Sequence, residues 1–188
     1  QLRENKKTRY MINASLKYQL FDWLDVVGRV KIDNYDNRST YKAYASTGTL
    51  VSGDRGTYSD TSTQSKNTYA DAIATLNKSF NDWSVNVNLG VSLSDSRYEM
   101  IGYEGGLKLI NFFAVHNIDF NKAWKAKQSG WHDQTRAIFA NAEIGWKSMI
   151  YLTATGRNDW DSRLAFSDYK SFFYPSIGLS AILTSMFN

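Results

Sequence analysis

His116 and His132 are the residues of widest chemical reach in this chain, and their surroundings decide what they can do. The sequence has no cysteine to share a metal with them, and no HExxH-type spacing joins them. A zinc site needs three or four such ligands in fixed geometry, and a nucleophilic triad needs a base and an orienting acid. No such grouping is present, so no catalytic residue, metal or cofactor is assigned, and an enzyme is not expected. Asp159 and Asp161 stand beside Arg157. Clustered oxygens of this kind suit calcium, but the neighbouring guanidinium favours a salt bridge between Arg157 and Asp159 at the base of a loop.

The loop aromatics carry more information. Tyr41, Tyr44 and Tyr58 fall in one long polar stretch, and Trp124 and Trp131 fall in another. Rings flanked by Asn, Asp and Gln can stack on sugar faces while the amides bind hydroxyls. Tyr and Trp also dominate the contacts that matter most in protein interfaces. Packing between neighbouring loops is the third use, and all three stay open at this stage.

The elements that must hold these residues are legible from pattern. Aromatics make up 15% of the 188 residues, yet mean hydropathy is −0.45 and there is a single proline. Many rings inside a polar average mean that apolar and polar residues are interleaved. No apolar run is long enough for a transmembrane helix. The net charge of +4 is mild and its cations are dispersed, so nucleic-acid binding is not expected. Gln1 to Lys7 is a polar lead-in without an export signal; in an exported protein that signal is removed or lies upstream.

Seven segments alternate with period two. Tyr10, Ile12, Ala14, Leu16, Tyr18 and Leu20 share one face of the first, and Met11, Asn13, Ser15, Lys17 and Gln19 the other. Leu24, Val26, Gly28, Val30 and Ile32 oppose Asp25, Val27, Arg29, Lys31 and Asp33 in the second. The third, about 68–80, is weaker, with Ala70, Ala72, Ala74 and Leu76 on its apolar side. The fourth is clearest: Val85, Val87, Leu89, Val91 and Leu93 alternate with Ser and Asn. The rest run over about 137–146, from Ile150, and through Pro175, Ile177 and Leu179. Stretches of this kind match the roughly 9–11 residues that cross a membrane as a tilted strand.

Tight turns are expected near residues 22, 81 and 147, and long polar loops over about 34–66, 99–134 and 158–171. Short turns at one end and long loops at the other are the layout of outer-membrane barrels. Tyr18, Phe21, Trp23, Phe80, Trp83 and Trp146 gather where strands meet turns, as an interfacial aromatic girdle does. A charge on the lipid face costs about 2–4 kcal/mol at mid-bilayer. That cost assigns Lys17, Arg29, Lys31 and Asp33 to the lumen, where they pair with one another or with a plug. An odd number of strands leaves unpaired edges in lipid, so the expectation is all-β: antiparallel up-and-down strands forming an arc of a larger barrel. A soluble β-sandwich that binds glycans also alternates with period two and remains the alternative, as does a passive porin.

Six stretches stand out in order along the chain: Gly105-Gly106-Leu107-Lys108-Leu109, Asn111-Phe112-Phe113, Asn117-Ile118-Asp119, Phe139 to Trp146, Tyr151 to Trp160, and Phe172 to Leu179. In order and spacing they resemble the SusC/RagA-type TonB-linked outer-membrane transporters of Bacteroidetes. The resemblance is good over about 100–185 and looser, at the level of strand pattern, over 1–99. It implies a 22-stranded barrel of the cell outer membrane with an N-terminal plug, closed outside by a SusD-like surface lipoprotein. It further implies oligosaccharide or peptide cargo and drive from the TonB complex. On that footing residues 1–188 are part of a single barrel domain in outer-membrane lipid. The plug and the TonB-contacting N-terminal region are missing from this stretch.

Overall fold

In the computed structural model, which describes residues 1–48 and 52–186, seven strands form a single sheet. They are β1 (Leu2–Phe21), β2 (Leu24–Ala43), β3 (Thr57–Phe80), β4 (Trp83–Gly106), β5 (Trp124–Trp146), β6 (Ile150–Asp161) and β7 (Ser171–Ala181). Their order in the sheet is their order in sequence, so the chain runs up and down without a crossover. A sandwich needs two packed sheets, and the described strands belong to one. A single helical turn, Leu183–Met186, follows β7.

Period two fixes the register. Ile144, Ala142 and Trp146 of β5 stand opposite Leu152, Ala154 and Ile150 of β6. Leu152 and Ala154 in turn stand opposite Leu179 and Ile177 of β7. Each apolar row therefore continues across the sheet, because a slip of one residue would throw every one of these side chains to the polar side.

The strands outrun the expected span. β1 and β2 are 20 residues long, β3 and β4 are 24, and β5 is 23, whereas β6 and β7 are 12 and 11. The connections expected over 34–66 and 99–134 shrink to 44–56 and 107–123. The physical reason is that the backbone ladder continues past the point where hydrophobic alternation stops. Polar cross-strand pairs support it there, such as Gln64 donating to Asp36 at 2.7 Å and Arg38 paired with Asp60. Tyr41, Tyr58, Trp124 and Trp131, read from sequence as loop residues, consequently lie on β2, β3 and β5. Of that set only Tyr44 sits in a connection.

The tight turns fall where expected. At Lys147-Ser148 both residues have positive φ, 51° and 56°, and the Met149 N–H donates to the Trp146 carbonyl at 2.9 Å. That is the two-residue hairpin turn whose twist matches the flanking strands. Asn81 (φ 51°) turns β3 into β4, and asparagine tolerates that region better than most residues. Phe21 and Trp23 stack at the first turn with centroids 5.2 Å apart.

The chain divides into two compact units. The first comprises Gln1–Met11, Asp33–Asn67 and Ser96–His132. It holds a small apolar core of Tyr58, Leu107 and Ile118, with Tyr103, Phe113 and Val115 packed around it. Gly105 makes this possible, since a β-carbon there would sit 2.7 Å from the Ile118 side chain. Buried Asn117 ties the turn together: its amide donates to the Leu109 and Phe112 carbonyls and its oxygen accepts from the Leu109 N–H. Asn111, at φ 57°, accepts from the Ala45 N–H at 2.8 Å and so links the connections 44–56 and 107–123.

The second unit comprises Ile12–Ile32, Thr68–Asp95 and Asp133–Asn188. Among its described residues there is no buried apolar cluster. Its large apolar side chains lie outside instead, with Leu16 75%, Leu179 74% and Ile177 77% exposed. An apolar surface of this extent marks a face that something apolar covers.

Candidate functional site

The polar face of the second unit is a ladder of paired charges. Lys17 Nζ lies 3.0 Å from Asp25. Arg29 donates through both Nε and Nη2 to the two carboxylate oxygens of Asp71 at 2.9 Å, and the Asp71 side chain is 1% exposed. Of the charges expected in the lumen, Lys17 and Arg29 thus pair across to the next strand, and Asp33 pairs with Arg9 in the first unit. Thr75 donates to Asn88 at 2.8 Å, Asn88 to Asn86 at 2.8 Å, and Asn86 to Asn77. Such chains satisfy polar groups on a face that is not packed against a core.

Arg157 and Asp159 lie two apart on β6, so they share this face, with Nε 2.8 Å from Oδ1. The Arg157 guanidinium also lies over the Phe139 ring, 5.6 Å from its centroid. Phe139 occupies the space above Gly90, where a β-carbon would come within 2.2 Å of the ring. Asp161 is held by Arg163 through two side-chain bonds and the backbone N–H. Those bonds keep its carboxyl well below the usual carboxylate range. Each carboxylate of the Asp159–Asp161 pair is therefore engaged by its own arginine, which removes the ligands a calcium ion would need. Among the described residues no group of three or more His, Cys, Asp or Glu could hold a metal. Arg163 was not singled out from sequence; its spacing of two from Asp161 was the available signal.

In the first unit Arg9 is bidentate on Asp33, at 2.8 and 2.7 Å. Arg38 is likewise bidentate on Asp60, which also accepts from the Tyr58 hydroxyl at 3.2 Å. The Arg38 hydrogen bonds lower the Asp60 carboxyl against the opposing effect of burial. Burial, and then the Asp60 charge, raise the Tyr58 phenol.

The five aromatic candidates do not converge on one site. Tyr41 lies under Arg3, 5.6 Å from its guanidinium carbon, and Tyr44 meets Phe113 edge-on at 4.9 Å. Tyr58 is 5% exposed and packs on Phe113, so it is not available to a ligand. Trp124 meets Phe120 edge-on at 5.0 Å. Trp131 stacks on Tyr98 with centroids 6.0 Å apart and remains 47% exposed, the most open of the five. His116 stands against Phe112 at 5.6 Å.

A single up-and-down sheet with one apolar and one ion-paired face is an arc of a transmembrane β-barrel. No family model matches the sequence, and no curated protein matches it. Solved structures do. The RagAB peptide importer in its "closed-closed" state is similar with a TM-score of 0.88 over 99% of this chain and 21% of that one, at 14% identity. Its "open-open" state gives 0.86 over 95% and 20%, at 13% identity. The siderophore receptor PiuA from Acinetobacter baumannii gives 0.55 over 94% and 29%, at 12% identity. At these identities the likeness is one of fold. The chain spans about a fifth of the length of the RagAB chains it matches.

Proposed function

We propose that this chain is a stretch of the barrel wall of an outer-membrane TonB-linked importer of the SusC/RagA kind, and that it catalyses no reaction. The observation that carries the reading is the two-faced sheet. One face carries exposed apolar side chains such as Leu16, Leu89, Ile138 and Leu179, while the other holds ion pairs such as Lys17–Asp25 and Arg29–Asp71, as a water-filled or plugged lumen allows. The likeness to the RagAB peptide importer over nearly the whole chain supports it. Residues 1–188 belong on this reading to one barrel domain, with the plug and the TonB-contacting region elsewhere in a longer protein.

The same likeness, to a peptide importer, supports peptide ahead of oligosaccharide as cargo, and the sequence resemblance supports a SusD-like surface lipoprotein as partner. Of the five aromatic candidates, Trp131, Trp124 and Tyr44 are open enough to meet cargo or lipoprotein. The test is an immunoblot of washed outer membranes with an antibody against this chain. A band well above 21.4 kDa that resists urea extraction is expected. A band of 21.4 kDa in the soluble fraction would overturn the barrel.

A further inference from the structure

The apolar face of the second unit is not uniform. It carries a groove of about 580 Å³ where Ala70 and Ala72 of β3 leave a depression bordered by Leu93 and Ile138. Arg136 and Trp160, direct cross-strand partners on β5 and β6, also line it. Along β5 the same face reads Gln134, Arg136, Ile138, and Gln134 is already polar, donating to Asp95 at 2.5 Å. Arg136 therefore stands at the step from polar to apolar surface, beside a tryptophan of the kind that sits at a membrane–water boundary.

Its charge is the unusual feature. The second unit has four arginines, Arg29, Arg136, Arg157 and Arg163, and three of them are ion-paired with Asp71, Asp159 and Asp161. Arg136 alone makes no ion pair among the described residues. At the interface an arginine on the lipid face costs little, about 0–1 kcal/mol, but it gains nothing there without an anion.

We propose that this groove is a binding site for one membrane lipid, its acyl chain lying over Ala70 and Ala72 and its phosphate held by Arg136. The inference rests on the barrel reading and goes beyond it by assigning a specific lipid position on an otherwise general lipid-facing surface. An acyl chain fits the apolar groove, and a phosphate supplies the anion that every other arginine of the unit finds within the protein. Guanidinium is well suited to phosphate, which it meets with two parallel donors.

The test uses the full-length parent protein purified in detergent, with retained lipid counted by native mass spectrometry. The probes are dioleoyl phosphatidylglycerol, dioleoylglycerol as the phosphate-free control, and inorganic phosphate as competitor. The wild type is expected to retain phosphatidylglycerol over dioleoylglycerol. Arg136→Gln should weaken retention about tenfold, the scale of one lost charge-assisted contact. Arg136→Lys, which keeps the charge but loses the two parallel donors, should fall between the wild type and Arg136→Gln, and Ala72→Phe, which fills the groove, should abolish retention with the charge intact. Equal retention by wild type, Arg136→Gln and Ala72→Phe would overturn the site. Competition by inorganic phosphate at equal concentration would show an anion site without a lipid and overturn it equally. Failure of the barrel reading is seen separately, as a protein that urea washes from the membrane.

Discussion

Ile118 and Leu89 are near equals in size and chemistry, yet they meet opposite surroundings. Ile118, in the first unit, is fully buried against Leu107 and Tyr58, whereas Leu89, in the second, is 56% exposed on the apolar face of β4. One unit hides its apolar groups in a core of its own, as a water-soluble domain must. The other turns them outward and keeps its polar groups in bonded pairs. Strands β1 to β5 supply residues to both, so within them the difference lies in side chains and not in backbone architecture.

The sharpest way to break this contrast is to truncate Ile118. Ile118→Ala should cost about 2–5 kcal/mol within the first unit, because a buried isoleucine leaves a cavity. Hydrogen exchange should accelerate over 103–124 while the strand amides of the second unit keep their protection. Loss of protection in both units would show that they unfold as one. A charge probes the other side: Leu89→Arg should destabilise by about 2–4 kcal/mol in urea-titrated refolding into bilayers, while Ser92→Arg, on the polar face, should change little. Equal penalties would erase the distinction between the faces.

A smaller effect is expected from Asn117→Ala. It leaves the Leu109 N–H and the Leu109 and Phe112 carbonyls without their partner, at about 1–3 kcal/mol, and should open 107–123 to limited proteolysis. The smallest difference between the units is in acid. Asp60 and Asp161 are both lowered by bonded arginines, so their ionised forms favour the folded state. That contribution is complete above the ordinary aspartate value of about 4 and is lost as pH falls below it, through the depressed values. Hydrogen exchange near both residues should be flat from neutral pH to about 5 and rise only in stronger acid.

The alternating part of each strand was readable in the sequence because one of its faces is apolar and exposed and the other polar, which leaves a period of two. Val85 to Leu93 is the clearest case, and its partners fall in the expected rows. The upper parts of β2 to β5 were not readable. Residues such as Asp36, Gln64 and Gln134 hold the sheet together by polar pairing, which leaves no periodic hydrophobic trace. Tyr58 reads from sequence as an accessible ring, open to ligand, partner or loop packing, because tyrosines in polar stretches usually are accessible. Its burial depends on Leu107 and Ile118, some fifty residues away, and no local pattern reports that. The Asn111 and Asn117 stretches, which carried much of the family resemblance, turn out to build the turn that closes this core.

Strand order equal to chain order has a consequence for how such a wall assembles and changes. Every strand finds its neighbour in the segment just made, so pairing never waits for a distant part of the chain, and loop-closure entropy stays low at each step. The sheet can zip hairpin by hairpin. For the same reason a hairpin inserted or lost between two others requires no rethreading, and barrels of different girth become accessible by whole-hairpin steps.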